Sequence, residues 1–148
     1  MTLEQRITTD MKTAMKAKDK AALRGIRAVK QAILLQKTDG SGADLDAAGE
    51  IALLQKLVKS RQDSLDIYEK QNREDLAASE REEIEVISRY LPQQLTEDEL
   101  GQLIDDVIAK TGATSMKDMG KVMGMANKEA AGRADGKLIA ATVKAKLS

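Results

Sequence analysis

A single proline interrupts an otherwise continuous succession of helical patterns. From Leu3 to Leu147, apolar residues recur three and four positions apart, which is the period of a helix with one buried face. Pro92 disfavours helix at the residue before it and therefore ends the run. No segment alternates apolar and polar residues as a half-buried strand would. The sequence predicts an all-α fold with two domains, residues 1–92 and 93–148.

Cap signals divide both domains into helices. Thr2 with Gln5, and Thr96 with Glu99, have the spacing of a capping box, in which a side chain and a backbone N–H satisfy each other reciprocally. The first domain is predicted to be an array of helical hairpins, with a loop at residues 39–42. The second is predicted to be a three-helix bundle, in which Ser115 can cap the second helix and Asp135 the third. The predicted helices cover about residues 3–17, 20–38, 44–70, 76–90, 97–111, 116–129 and 136–147.

The composition removes several kinds of chemistry. The 148 residues include no cysteine and no histidine, which excludes disulfides, thiolate nucleophiles, Cys/His zinc sites and an imidazole base. Residues 39–50 have the length of a calcium-binding loop, but Asp44 stands where its sharp turn needs glycine. We therefore expect no metal site, no cofactor and no catalytic residue.

Charge is distributed unevenly along a chain whose net charge is zero. Residues 1–37 carry a net charge of +6, residues 38–109 a net charge of −11, and residues 110–148 a net charge of +5. Such asymmetry can concentrate a surface that binds polyanions at one end of a protein. The alternative is that basic helices pack beside acidic helices within the fold.

Residues 118–137 are the most unusual segment. They hold four of the ten glycines, and Gly120 and Gly124 lie one helical turn apart. Because glycine costs about 1 kcal/mol inside a helix, two of them indicate close approach of either a packed helix or an external ligand. Gly132, Gly136 and Lys137 resemble a phosphate-binding loop, but the spacing is one residue short and no strand precedes it. Such a turn could still hold one phosphate at a helix N-terminus, or serve as a turn alone.

Several runs carry a family resemblance. Residues 90–95 read Tyr-Leu-Pro-Gln-Gln-Leu, residues 116–124 read Met-Lys-Asp-Met-Gly-Lys-Val-Met-Gly, and residues 132–138 read Gly-Arg-Ala-Asp-Gly-Lys-Leu. With residues 15–20 and 66–75, they resemble the GatB/YqeY family along essentially the whole chain. The sequence is similar to a stand-alone YqeY-like protein.

The resemblance implies two all-helical domains, the second like the tail of the GatB subunit of tRNA-dependent amidotransferase. In that enzyme the tail helps to hold the tRNA, and the family label is carbon–nitrogen ligase activity with glutamine as amido donor. The large catalytic part has no counterpart in this sequence, so activity is expected at most within an amidotransferase complex. The resemblance implies an accessory, tRNA-binding-like protein.

The basic C-terminal segment and the family motifs together predict a nucleic-acid-binding surface. With no Phe or Trp to stack on bases, contacts to phosphates are favoured over sequence-specific reading. The predicted site residues are Gly120, Lys121, Gly124, Lys128, Arg133, Gly136, Lys137 and Lys144.

Other partners stay open. The seam of the third helix, from Ile51 to Tyr68, could recruit another protein or a second copy of the chain, with no role for RNA. Amidotransferase subunits are a further class of partner. No segment has the roughly 20 apolar residues of a membrane span, and residues 1–17 lack the apolar core of a signal peptide. We therefore expect a soluble protein, not bound to a membrane, in the cytoplasm.

Overall fold

The computed structural model describes residues 1–38 and 45–148, and within them it contains seven α-helices and no β-strand. The predicted all-α class is confirmed. The helices are α1 (Leu3–Ala17), α2 (Lys20–Thr38), α3 (Ala47–Lys70), α4 (Glu74–Ser88), α5 (Glu97–Thr111), α6 (Met119–Ala130) and α7 (Gly136–Leu147). The loop predicted at residues 39–42 and the first half of the calcium-loop pattern lie outside the described residues.

Contacts between the helices divide the chain into two units. Helices α1 to α4 belong to Met1–Leu91, and α5 to α7 belong to Pro92–Ser148. In the first unit α3 packs mainly on α4, and α4 also packs on α2, which in turn packs on α1. In the second unit α6 contacts both α5 and α7.

Local capping fixes where most helices begin. The Thr2–Gln5 and Thr96–Glu99 capping boxes both form, with each threonine hydroxyl accepting from the backbone N–H three residues later. Asp135 caps α7 by accepting from the backbone N–H of Lys137 at 3.1 Å. These predictions from the sequence are confirmed because each cap is satisfied by residues within three positions of it.

Three predicted helices have different bounds in the structure. Helix α3 begins at Ala47 instead of about residue 44, because Asp46 caps it by accepting from the N–H of Gly49 at 2.7 Å. Helix α4 covers Glu74–Ser88 instead of residues 76–90, and its last turn tightens, since the N–H of Tyr90 bonds the carbonyl of Ile87 at 3.1 Å. The tightened turn follows from Pro92, which excludes helical backbone at Leu91. The sixth predicted helix divides into a 3₁₀ turn, Met116–Asp118, followed by α6.

Each unit has its own aliphatic core. In the first unit, Ile7, Val29, Ile33, Leu54 and Ile87 are at most 2% exposed. The core of the second unit is equally buried, and its side chains come from all three helices of that unit. They are Leu100, Ile104, Val107, Val122, Ala126, Ile139 and Val143. The periodicity that predicted the helices also predicted these buried faces.

The apolar seam predicted on α3 packs against other helices of the first unit. Leu54 and Leu65 are buried, while Ile51, Val58 and Tyr68 are half-buried. Arg61 approaches Glu83 of α4, with 3.4 Å between Nε and Oε2. The seam therefore packs against α4.

Candidate functional site

The solvent-exposed face of α6 brings together lysines and glycines. Lys121, Gly124 and Lys128 are all exposed and lie at positions i, i+3 and i+7, on one side of the helix. Val122, Ala126 and Ala130 occupy the opposite side and are buried in the core of the second unit. Two cations thus flank a length of helix surface that has no side chain at its centre.

The two glycines of α6 face open space. A Cβ atom placed on Gly120 or on Gly124 would have no heavy atom within 4 Å, among the residues that the structure describes. A packed neighbouring helix, one of the two reasons considered for these glycines, is therefore absent from the described part of the second unit. The backbone of α6 is accessible here to a group from outside.

Helix α7 begins beside α6. A Cβ atom on Gly136 would lie 4.0 Å from Oδ1 of Asn127, and Asn127 in turn donates Nδ2 to the carbonyl of Met123 at 2.9 Å. Lys137 and Lys144 lie seven positions apart on α7, so they share one side of that helix, and both are exposed.

Arg133 is exposed, and it is hydrogen-bonded to another segment of the second unit. Its Nε donates to the carbonyl of Gln93 at 3.0 Å, and its own carbonyl accepts from the N–H of Leu95 at 2.8 Å. Arg133 therefore ties the turn between α6 and α7 to the segment that precedes α5. Hydrogen bonds with Thr96 first, and the charge of Arg133 to a smaller extent, hold the pKa of Glu99 below its ordinary value.

Pairing separates the cations of the second unit into two groups. Lys110 bonds Glu129 of α6 at 2.9 Å and Lys146 bonds Asp105 of α5 at 2.8 Å, so each is paired with a carboxylate. The pair with Glu129 raises the pKa of Lys110. Four predicted site lysines have no ion pair within 4.0 Å among residues 1–38 and 45–148. They are Lys121, Lys128, Lys137 and Lys144.

One exposed cation at this surface was missed by sequence reasoning. Lys117 lies on the 3₁₀ turn just before α6, four residues ahead of Lys121, and its ammonium likewise has no ion pair within the described residues. The sequence predicted one continuous helix over residues 116–129, whereas Lys117 lies on a 3₁₀ turn that precedes α6. The hydroxyl of Ser115 accepts from the Lys117 N–H at 3.4 Å, so the predicted Ser115 cap forms on this turn.

Across residues 1–38 and 45–148, no group of three or more carboxylates could hold a metal ion. None of the described helices combines the length and the apolar character that crossing a bilayer requires. The candidate site is a surface of cations and accessible backbone in the second unit.

The fold and this surface define a small helical protein of the YqeY type. A family model described as Yqey-like protein matches residues 4–147, and the chain therefore belongs to that family. The resemblance seen in the sequence is confirmed.

Curated relatives are found in fungi under the name "Altered inheritance of mitochondria protein 41, mitochondrial". The protein of Vanderwaltozyma polyspora is 32% identical over 117 residues, which are 74% of this chain and 63% of the relative. That of Lachancea thermotolerans is 40% identical over 84 residues, covering 57% of this chain and 45% of the relative. That of Pyrenophora tritici-repentis is 30% identical, covering 87% and 71%.

The chain thus spans between about half and two-thirds of the length of the first two relatives. Their names contradict the cytoplasmic location predicted from the sequence, since all three are named as mitochondrial proteins. The prediction relied on the lack of a membrane span and of an apolar signal peptide. Neither criterion bears on a mitochondrial location, because mitochondrial targeting segments are amphipathic instead of apolar.

Proposed function

We propose that this chain is an accessory protein that binds tRNA through the exposed faces of α6 and α7. The observation that carries the proposal is the set of four lysines without ion pairs within the described residues, two of which lie on either side of the open Gly124 on α6. Polyanion binding gains its free energy from cations that are free to replace the counterions of phosphates. Lysines already neutralised by the fold, such as Lys110 and Lys146, contribute less.

The glycines make the surface more specific than a patch of lysines. At Gly120 and Gly124 a phosphate can come one side chain closer to the helix, with Lys121 and Lys128 on its flank. Because the chain has no Phe or Trp, we expect recognition of backbone and shape and little reading of base sequence. We assign Arg133 only a supporting role in binding phosphates, because its Nε already donates to the carbonyl of Gln93.

The finer assignment rests on the family resemblance. The second unit resembles the tail of the GatB subunit, which helps to hold tRNA while other parts of the amidotransferase perform the glutamine-dependent chemistry. This chain would present or retain tRNA for such an amidation and would need the missing subunits for any ligase activity. Purified alone with glutamine, ATP and misacylated tRNA, it should release no ammonia.

The first test is a fluorescence titration of labelled bulk tRNA with the full chain at 50 and 200 mM salt. The logarithm of the association constant should fall by about 0.7 to 0.9 for each tenfold rise in salt and each phosphate contact. Loss of two contacts in Lys121→Gln/Lys128→Gln should lower the affinity roughly tenfold at low salt and reduce the slope by about 1.5.

A matched control removes the same charge elsewhere. Lys56 and Lys59 of α3 are exposed and have no ion pair within the described residues, so Lys56→Gln/Lys59→Gln should bind tRNA as the unaltered chain does. If both double variants lose the same affinity for tRNA, the effect depends only on net charge, and the assignment of the site to α6 is overturned. Absence of salt-sensitive binding at micromolar protein would overturn tRNA binding itself.

A further inference from the structure

A pocket of about 330 Å³ lies in the first unit between α1, α2 and the end of α4. Its floor is apolar and made of small or branched side chains that are at most 7% exposed. They are Ala14, Ala22, Ile26 and Val86. Its rim is charged, with two arginines and two aspartates. An apolar floor with a few convergent polar groups is the usual form of a small-molecule site, and this volume is near the lower end of the range.

One of the rim cations is held in place without being neutralised. The guanidinium carbon of Arg6 lies 5.1 Å from the centroid of the Tyr90 ring. Arg6 has no ion pair within 4.0 Å among residues 1–38 and 45–148. Stacking on an aromatic ring leaves the edge of the guanidinium available, with its parallel N–H donors suited to a carboxylate.

The ring that supports Arg6 is itself fixed. Tyr90 is 8% exposed, and its hydroxyl donates to Oδ2 of Asp10 at 2.6 Å. Asp10 lies one helical turn after Arg6 on α1, so both charges reach the same rim. Oδ1 of Asp10 accepts no hydrogen bond from the described residues. A carboxylate that can bind a cation and a guanidinium that can bind an anion thus lie side by side at the mouth of an apolar cavity.

We propose that this pocket binds a small zwitterion, an amino acid with an apolar side chain. Arg6 binds its carboxylate, Asp10 binds its ammonium, and the apolar side chain rests on Ala14, Ala22, Ile26 and Val86. A simple anion would face repulsion from Asp10 and Asp19, and a simple cation would face Arg6 and Arg89. The proposal is independent of tRNA binding, since every residue belongs to Met1–Leu91.

The remaining rim residues have secondary parts. Asp19 uses one oxygen to cap α2, accepting from the N–H of Ala22 at 3.1 Å. Arg89 pairs with Glu85 at 3.1 Å in an exposed position. Both contribute to the electrostatic potential at the rim, while Arg6 and Asp10 are the residues that contact the ligand directly.

The test is a methyl and amide NMR titration of the full chain with leucine as the probe. Saturable shifts are expected at Ala14, Ala22, Ile26 and Val86, with a dissociation constant of millimolar order or tighter, as suits a ligand of this size. Two analogues separate the charges: 3-methylbutylamine lacks the carboxylate, and 4-methylpentanoate lacks the ammonium. Each should bind at least about tenfold more weakly than leucine.

Variants identify the binding groups. Arg6→Gln should weaken leucine binding by about tenfold, and Arg6→Lys should restore it only in part, because lysine lacks the fork of donors. Arg27→Gln, at an exposed position of α2 outside the pocket, should leave binding unchanged. No shifts with leucine up to 20 mM, or equal binding by the two analogues and leucine, would overturn the proposal, as would unaltered binding by Arg6→Gln.

Discussion

Tyr90 and Asp10 are joined by a hydrogen bond of 2.6 Å between residues 80 positions apart. The bond fastens the end of α4 to α1, and it connects a ring that is largely buried to a carboxylate on the rim of a pocket. A hydrogen bond to a charged acceptor contributes about 1.5 to 3 kcal/mol when it is shielded from water. The contact therefore matters both for the stability of the first unit and for the position of Arg6.

Tyr90→Phe should lower the free energy of unfolding by about 1 to 2 kcal/mol at pH 8, because the ring remains but the bond to Asp10 is lost. Urea denaturation followed by circular dichroism measures the difference. Asp10→Asn is the control, since an amide oxygen still accepts the hydroxyl proton and the loss should be smaller. A Tyr90→Phe chain as stable as the unaltered one would show that the bond contributes nothing.

The same bond sets a dependence on pH. Burial first, and the hydrogen bond to Asp10 second, raise the pKa of Tyr90 well above its ordinary value. A raised pKa in the folded state gives stability that is fully present below the unfolded pKa of about 10 and is lost as pH rises through the folded value. Between pH 9 and pH 11.5, the unaltered chain should therefore lose more stability than Tyr90→Phe. Parallel curves for the two would contradict this.

Gly25 sets the distance between α2 and α4. A Cβ atom there would lie 2.6 Å from Cγ1 of Val86 and 2.7 Å from its Cβ, which is closer than real atoms approach. Gly25→Ala should cost about 1 to 3 kcal/mol by overpacking. Gly101→Ala in α5, where a Cβ would meet nothing within 4 Å, should instead be neutral or stabilise by up to about 1 kcal/mol.

A second substitution shows whether Val86 is the obstacle. Gly25→Ala/Val86→Ala should be less destabilised than the sum of the two single variants, since the smaller side chain leaves room for the new methyl group. Thermal melts of the four chains are sufficient to measure this coupling. Simple additivity would mean that the added methyl group is accommodated without Val86.

The sequence predicted local structure well and contacts between distant residues poorly. Thr2, Thr96 and Asp135 were recognised as caps because their partners lie within three residues. The close approach at Gly25 escaped prediction because it depends on Val86, 61 positions later, and the Arg6–Tyr90–Asp10 arrangement depends on the same packing of α4. Periodicity identifies which face is buried, and it leaves open which helix covers that face.

The candidate site divides along the same line. Lys121, Gly124 and Lys128 fall on one side of α6 by spacing alone, so the sequence could place them together. The sequence could not predict that Arg133 connects the turn before α7 to the segment before α5, because Arg133 and the Gln93 carbonyl that it bonds are 40 positions apart. Whether the glycines of α6 meet a neighbouring helix could not be read from the sequence, and the structure leaves them open.

Glu80 should limit stability at neutral pH. Burial first, and the nearby Glu83 second, raise its pKa, while Arg61 opposes the shift. A raised pKa means that the favourable contribution is present below the ordinary value near 4.5 and is lost as pH rises through the folded value. Glu80→Gln should therefore stabilise the chain at pH 7 by less than about 1 kcal/mol and have little effect at pH 4.

Denaturation at the two pH values tests this claim about Glu80. Glu82→Gln is the matched control, because Glu82 is exposed and pairs with Arg24, so removing its charge should be neutral or slightly destabilising at pH 7. A loss of stability in Glu80→Gln at pH 7 would mean that the ionised carboxylate is favourable in the fold.

The open glycines of α6 allow stability and binding to be separated. Gly120→Ala and Gly124→Ala add methyl groups that meet nothing within 4 Å, so each should stabilise α6 by about 0.5 to 1 kcal/mol. If tRNA phosphates approach this backbone, the same variants should bind tRNA more weakly, since the methyl groups hold the phosphates away from Lys121 and Lys128. Thermal melts and tRNA titrations of the same samples measure both quantities. Gly101→Ala is the control, because it adds an equally unobstructed methyl group to α5 and should leave tRNA binding unchanged. Glycine variants that are more stable and bind tRNA undiminished would show that the bare face of α6 has no part in binding.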